Sequence, residues 1–414
     1  MEYLKLFENH TEYEEYKNSG FTMPNVSHCI ENIHIHHKVE DRVIVTYNVT
    51  DTSNPTLIGY GDYINGFSAI EIDGIEQPNV VSAYTFDTLG KHIVKYSLKD
   101  TSIIDDNAFR ECGSITNVII PNNVKKIDAQ AFQDCANLVS INIPSGVTSI
   151  DVGAFRSCVG LTSIDIPNTV TSIGNYAFYN CTNLTSIDIP SGVTSIGTEA
   201  FYNCTSLTSC TFGQDSQLTS IWGGAFKSCS SLTSIDIPNS VTSIGGQAFR
   251  GCSGLTSIDI PSGVTYIGDW SFGGCYGLTN ITVDSSNTVY DSRNNCNAII
   301  DTNTNTLLFG CNNTIIPDGI VAIGDNAFHS YRGLTSINIP SSTTSIGNGA
   351  FTTCKSLSSI TCNAIIAPNI VSRTFENIKS NGTLYVPQGS NGYDVWMQNE
   401  NFYLGLYGWT KVEQ

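Results

Sequence analysis

The chain has 414 residues, too many for one compact core and enough for an extended array with flanking modules. Its charge is lopsided, with 37 Asp and Glu against 19 Lys and Arg and a formal net charge of −18. Such a surface repels phosphate backbones, so nucleic acid is not an expected partner, and no apolar run approaches the ~20 residues of a membrane span.

Residues 1–39 read as an N-terminal attachment segment. The opening MEYLKLFENHTEYEEYKNSG has neither a basic n-region nor an apolar core, so no signal peptide is visible in it. In VSHCIENIHIHHKVE, Ile33 and Ile35 alternate with His34 and His36, the period of a strand. His28, His34, His36 and His37 raise the question of a metal. No carboxylate stands at a ligand spacing and only Cys29 adds a sulfur, so no metal and no cofactor is expected. Cys29 beside a histidine also lacks the third group that would orient a nucleophilic pair.

Residues 40–99 read as a small all-β module, sandwich-like or immunoglobulin-like. RVIVTYNV, FSAIEID and HIVKYSLKD alternate in polarity, and Gly61, Asp62, Asp73-Gly74 and Leu89-Gly90 mark turns between them. Spacing, capping or attachment is its expected job.

From 100 to 363 one unit repeats. Leu161 to Cys181 reads LTSIDIPNTVTSIGNYAFYNC, and Phe155, Phe178 and Phe201 follow one another at 23 residues. The landmark phenylalanine recurs at Phe109, Phe132, Phe155, Phe178, Phe201, Phe226, Phe249, Phe272, Phe328 and Phe351. A period of 20–29 residues around L-x-x-I-x-I predicts a leucine-rich solenoid. Leu161, Ile164 and Ile166 point inward from a short strand, and Pro167 ends it because it has no N–H to donate. Val170 and Ile173 cover the second side, Gly174 permits the corner, and Ala177 and Phe178 sit on a short helical turn. No repeat buries these faces alone, whereas stacked repeats do.

Nine cysteines share one repeat position: Cys112, Cys135, Cys158, Cys181, Cys204, Cys229, Cys252, Cys275 and Cys354, with Tyr331 in that place in a tenth repeat. One Cys per turn predicts a column of free, buried thiols acting as small hydrophobes. Between Phe272 and Phe328 the spacing is 56, which marks an insertion at about 284–312. Ala298-Ile299-Ile300 and Leu307-Leu308-Phe309 flank a polar turn there, so a protruding β-hairpin is expected. Residues 364–414 read as a decayed repeat around Phe375 and an aromatic-rich C-terminal cap that covers the open end.

The repeat L-T-S-I-D-I-P-x-x-V-T-S-I-G-x-x-A-F-x-x-C resembles the BspA-like leucine-rich repeats, also described as the Treponema pallidum type. The insertion and the tail GTLYVPQGSNGYDVWM look like segments of such proteins from gut Bacteroidetes. The resemblance implies a right-handed coil with a parallel β-sheet face and short helical turns. It also implies display at a cell surface and adhesion to a protein or glycan on a host or other cell, with no catalysis. Consistently, the chain carries no G-x-S-x-G elbow and no Gly-rich phosphate loop. The lack of a visible export signal supplies an alternative, a bacteriophage virion protein. It would be anchored to other virion proteins by residues 1–99 and would display the repeats.

In such solenoids the strands form one continuous sheet whose outward side chains make rows. One row here holds Ser163, Ser186, Ser234 and Ser257, and the next holds Asp165, Asp188, Asp236 and Asp259. Asp165 with Asp188 and Asp236 with Asp259 stand on neighbouring turns, where like charges favour a cationic partner. Two carboxylates fall short of the oxygens that Ca²⁺ takes. These eight residues are the expected binding face.

Overall fold

Every repeat offers two short edges that can pair with the next copy, and the two behave differently. The computed structural model describes residues 41–414, which form one compact unit. The expectations for the lead segment, including Cys29 and its neighbouring histidines, lie outside the described residues. On the T-S-I-G edge the pairing is parallel and in register: Ser149 faces Ser172, Ile173 faces Ile196 and Ser220 faces Ser243. Eight such two-residue strands, from Ile103–Ile104 to Tyr266–Ile267, form an unbroken sheet.

The S-I-D-I edge, expected to be the continuous sheet, is interrupted. Ser186–Ile189 pairs only with Ser209–Phe212, and Ser257–Ile260 only with Asn280–Val283. Ser336–Ile339, Ser359–Cys362, Thr383–Val386 and Thr410–Glu413 make a four-stranded run, and 161–167 and 232–238 carry no strand. Proline accounts for the two gaps, although Pro387 leaves the pairing of Thr383–Val386 with Ser359–Cys362 intact. Gly213, Asp284 and Asn363 stand where most repeats have proline, and each donates its N–H to the last isoleucine of the preceding turn, at 2.8, 2.9 and 2.9 Å. Pro190 and Pro261 occupy that place in the next turn after each unpaired stretch and have no hydrogen to give.

The expected helical turns resolve into successive tight turns. Ala177, Tyr179 and Cys181 donate back three residues within the repeat, while Tyr176, Phe178 and Asn180 donate to the next repeat. Tyr176 and Asn180 have φ of 59° and 60°, which prevents the bonds from propagating as a helix. Gly174 is not one of the left-handed residues. A Cβ there would lie 2.8 Å from the backbone carbon of Asp151, so glycine is needed for the close approach of one turn to the last.

Inside, the phenylalanines stack nearly parallel. Centroids are 5.5 Å apart from Phe155 to Phe178 and 5.2 Å from Phe178 to Phe201, at interplanar angles of 13° and 3°. Each ring is completely buried, worth roughly 1.5–3 kcal/mol apiece relative to exposure. The thirteen described cysteines are free and buried. They are more than filler: Cys158 Sγ donates to Phe132 O and Cys181 Sγ to Phe155 O, both at 3.1 Å.

At the N-terminal side, Arg42–Val49 pairs antiparallel with Gly90–Leu98 and with Ile115–Ile119, which in turn pairs parallel with Ser140–Ile141. The small β region thus shares one six-stranded sheet with the first solenoid strands, and its remaining pairing is Thr56–Leu57 with Ala83–Tyr84. Phe67 and Tyr96 meet Phe109, 5.3 and 5.0 Å away, and so begin the ring stack. At the other side Trp396 leans on Phe375 at 5.5 Å, and Tyr393 and Trp396 are buried with their polar atoms on Ala364 O and Pro368 O.

The hairpin does not protrude. Ile299–Asp301 and Thr306–Phe309 pair antiparallel, but the second strand continues parallel onto Ala322–Ile323, within the ladder. Ile299, Ile300 and Leu307 are fully buried, because a hairpin apolar on its inward face gains more by joining the core than by standing in water.

Candidate functional site

The expected binding residues divide into two classes. Ser186, Asp188, Ser257 and Asp259 are held on strands, whereas Ser163, Asp165, Ser234 and Asp236 lie on the unpaired stretches upstream. All four aspartates are exposed, as are Ser163, Ser186 and Ser234, and Ser257 is half-buried. The register sets Asp188 opposite Thr211 and Asp259 opposite Thr282, and each carboxylate accepts the threonine hydroxyl. A hydroxyl donated to a carboxylate is a charge-assisted bond, so these two aspartates are orientated rather than free to swing. Among the described residues no group of three or more His, Cys, Asp or Glu is placed to hold a metal ion.

Asp165 borders a shallow depression with Asn117, Ile119, Ser140 and Asn142. Ser140 Oγ is 2.5 Å from Asn117 Oδ1, and Asn142 accepts from Ile120 N and donates to Ile120 O. The upstream end of the row therefore offers an apolar side chain, exposed Ile119, beside polar groups. Downstream the row offers mainly carboxylates and hydroxyls. Threonine hydroxyls support the same edge, with Thr185 Oγ1 on Thr162 O and Thr208 Oγ1 on Thr185 O, both at 3.0 Å.

Sequence reasoning missed a second row. The residue after the landmark phenylalanine is a cation, a tyrosine or a histidine in seven of the ten repeats (Arg110, Arg156, Tyr179, Tyr202, Lys227, Arg250 and His329), and several of these groups meet in space. Arg156 Cζ lies 4.8 Å from the Tyr179 ring, Tyr179 stacks on Tyr202 at 4.7 Å, and Lys227 Nζ is 5.4 Å from Tyr202. Arg250 Cζ lies 4.9 Å from the Trp270 ring, which meets His329 at 4.4 Å. Burial and the Arg250 charge push the His329 imidazole down to about 4. The signal was available in the run Arg156, Tyr179, Tyr202, Lys227, Arg250 at one repeat position. Carboxylates share this edge, as where Arg110 Nε lies 3.4 Å from Glu111 Oε1.

The profile described as BspA type Leucine rich repeat region, in six copies, matches residues 102–221, 219–308 and 298–397. The chain belongs to the BspA-type leucine-rich repeat family. Solved structures of other leucine-rich proteins resemble it. A leucine rich cell surface protein from Faecalibacterium prausnitzii is 28% identical, with 64% of this chain and 83% of that chain covered, at a TM-score of 0.45. A leucine-rich repeat protein from Bacteroides ovatus is 25% identical over 81% and 91% of the two chains, at 0.42. The T. pallidum leucine rich repeat protein is 21% identical over 58% and 83%, at 0.31. At these TM-scores the likenesses add nothing to the assignment, which rests on the matched BspA-type repeats. No curated protein matches the chain significantly. Among the described residues no helix is long and apolar enough to cross a membrane.

Proposed function

We propose that this BspA-type chain is a non-catalytic surface recognition and adhesion protein. It takes a protein or glycan on a host or neighbouring cell surface through its Ser/Asp row. The observation that carries this reading is the exposed row itself, with Asp188 and Asp259 each held in a defined orientation by a threonine hydroxyl. Acceptors fixed at repeat spacing suit a partner with donors or cations at intervals, and they lose less entropy on binding than mobile side chains would. Nothing in the row pairs a nucleophile with a base, so recognition rather than turnover is the chemistry on offer.

The test is attachment of purified protein to immobilised host-cell surface proteins and glycans. Charge reversal at two points, Asp188→Lys with Asp236→Lys, is expected to reduce attachment at least tenfold. Unchanged attachment would remove the row from the site. Surface labelling of intact producing cells checks the placement, and recovery of the chain in purified phage particles would instead favour the virion alternative.

A further inference from the structure

From Ser172 to Gly268 the T-S-I-G ladder carries Ser and Gly at the two outward positions of each rung, with two exceptions that fall close together. Where other repeats place Gly174, Gly197, Gly245 or Gly268, one repeat places Trp222; where others place Ser172, Ser195 or Ser243, another places Tyr266. Trp222 is 55% exposed and Tyr266 56% exposed, so neither ring serves the core. Large apolar rings left in water on a soluble chain mark contact surfaces.

We propose that Trp222 and Tyr266 flank a binding site for a neutral, pyranose-containing glycan. This site is separate from the Ser/Asp row and does not depend on that row being functional. The register carries the geometry: Ser220 pairs with Ser243, and Ser243 with Tyr266, so Tyr266 stands two rungs from Ser220. Trp222 lies two residues beyond Ser220 and therefore on the same face. The rungs separate the two rings by about 10 Å across the ladder and the offset adds about 7 Å along it. Both rings line one depression of about 250 Å³, together with Ser220, Ser243, Gly245 and Gly246.

The lining selects the ligand class. No charged side chain lines the depression, although the chain carries a net charge of −18, so a neutral ligand fits better than an ionic one. A pyranose ring presents C–H groups on its faces and hydroxyls at its rim. The indole and phenol rings suit the faces, and the Ser220 and Ser243 hydroxyls suit the rim. The floor is shallow because glycine carries no side chain there, which admits a saccharide chain lying along the surface.

The fluorescence of Trp222 provides the readout. Trp396 and Trp409 are buried, and Trp270 lies beneath Arg250. Acrylamide quenching is measured for the full chain with the hexaoses of β-1,4-glucose, β-1,4-xylose, β-1,4-mannose and α-1,4-glucose, and with polygalacturonate as the charged comparison. At least one neutral hexaose is expected to shield Trp222, with Kd raised tenfold or more by Trp222→Gly and by Tyr266→Ser. Both replacements are residues that neighbouring repeats already use at those positions, so unchanged circular dichroism is expected. Asp188→Lys should leave this binding intact, which separates it from the adhesion reading. No shielding by any neutral hexaose would overturn the proposal. So would binding that survives both variants, or shielding by the charged polymer alone.

Discussion

Tyr331 donates its phenolic hydrogen to the carbonyl of Phe272 at 3.3 Å, 59 residues earlier in the chain. Elsewhere the same position is a cysteine, whose thiol reaches the phenylalanine carbonyl of the preceding turn: Cys275 to Phe249 at 3.1 Å and Cys354 to Phe328 at 2.9 Å. At the insertion Phe309 meets Phe272 edge-on at 85° instead of stacking, so the column changes step there. A phenol reaches farther from its backbone than a thiol and keeps the carbonyl served across that change. Tyr331→Phe should therefore cost about 1 kcal/mol, the worth of one buried hydrogen bond, and Tyr331→Ala about 3–5 kcal/mol. Urea unfolding midpoints of the two variants check the ranking, and equal midpoints would contradict it.

The thiol column should be chemically silent in the folded chain. Burial pushes Cys275 and Cys354 up to about 12 and holds Cys158, Cys181 and Cys229 well above the usual thiol range. Only the thiolate attacks an alkylating agent, so at pH 8 iodoacetamide should label none of the ladder cysteines natively and all of them in denaturant. Mass spectrometry counts the adducts. Disulfides among the ladder cysteines would overturn the account.

Gly310 is the point where the hairpin meets the ring column. A Cβ at this residue would lie 2.2 Å from Phe328 Cε1, so Gly310→Ala must displace that ring. A cost of about 1–3 kcal/mol is expected from the overpacking. Phe328→Leu in the same chain should recover part of it, and the double-mutant cycle measures that coupling. Purely additive effects would place the strain elsewhere.

The two described histidines should titrate in opposite directions. For His92, burial pulls downward, but the Asp73 carboxylate at 2.7 Å and the Thr88 carbonyl outweigh it and raise the value above 6.5. Its contribution to stability is present below pH 6.5 and is lost as pH rises through the folded value. His329 is depressed to about 4, so its contribution is present above pH 6.5 and falls away as pH drops toward 4. Imidazole Cε1–H shifts followed by NMR should separate the two, and coincident titrations near 6.5 would refute both environments.

The sequence was most legible where it repeats. Phe155, Phe178 and Phe201, their cysteines and the inward isoleucines follow from period and polarity alone, because identical units stack with identical faces together. The rows of serine and aspartate were legible for the same reason, as position in a repeat decides which side chains face out. Ile299 and Leu307 were misread as parts of a protrusion, since a short apolar hairpin looks the same in sequence whether it projects or joins the core.

By itself the sequence determined the solenoid, its family and the inward column. Three things waited for the tertiary structure. Whether 161–167 and Ser186–Ile189 become strands follows an N–H from the following turn, which Pro190 withholds from the first and Gly213 supplies to the second. Whether Asp188 stands alone depends on which residue the register sets beside it. Trp222 and Tyr266, 44 residues apart in the chain, became neighbours only because the turns between them are stacked at strand spacing. Each is a relation between successive turns, and periodicity within one turn does not contain it.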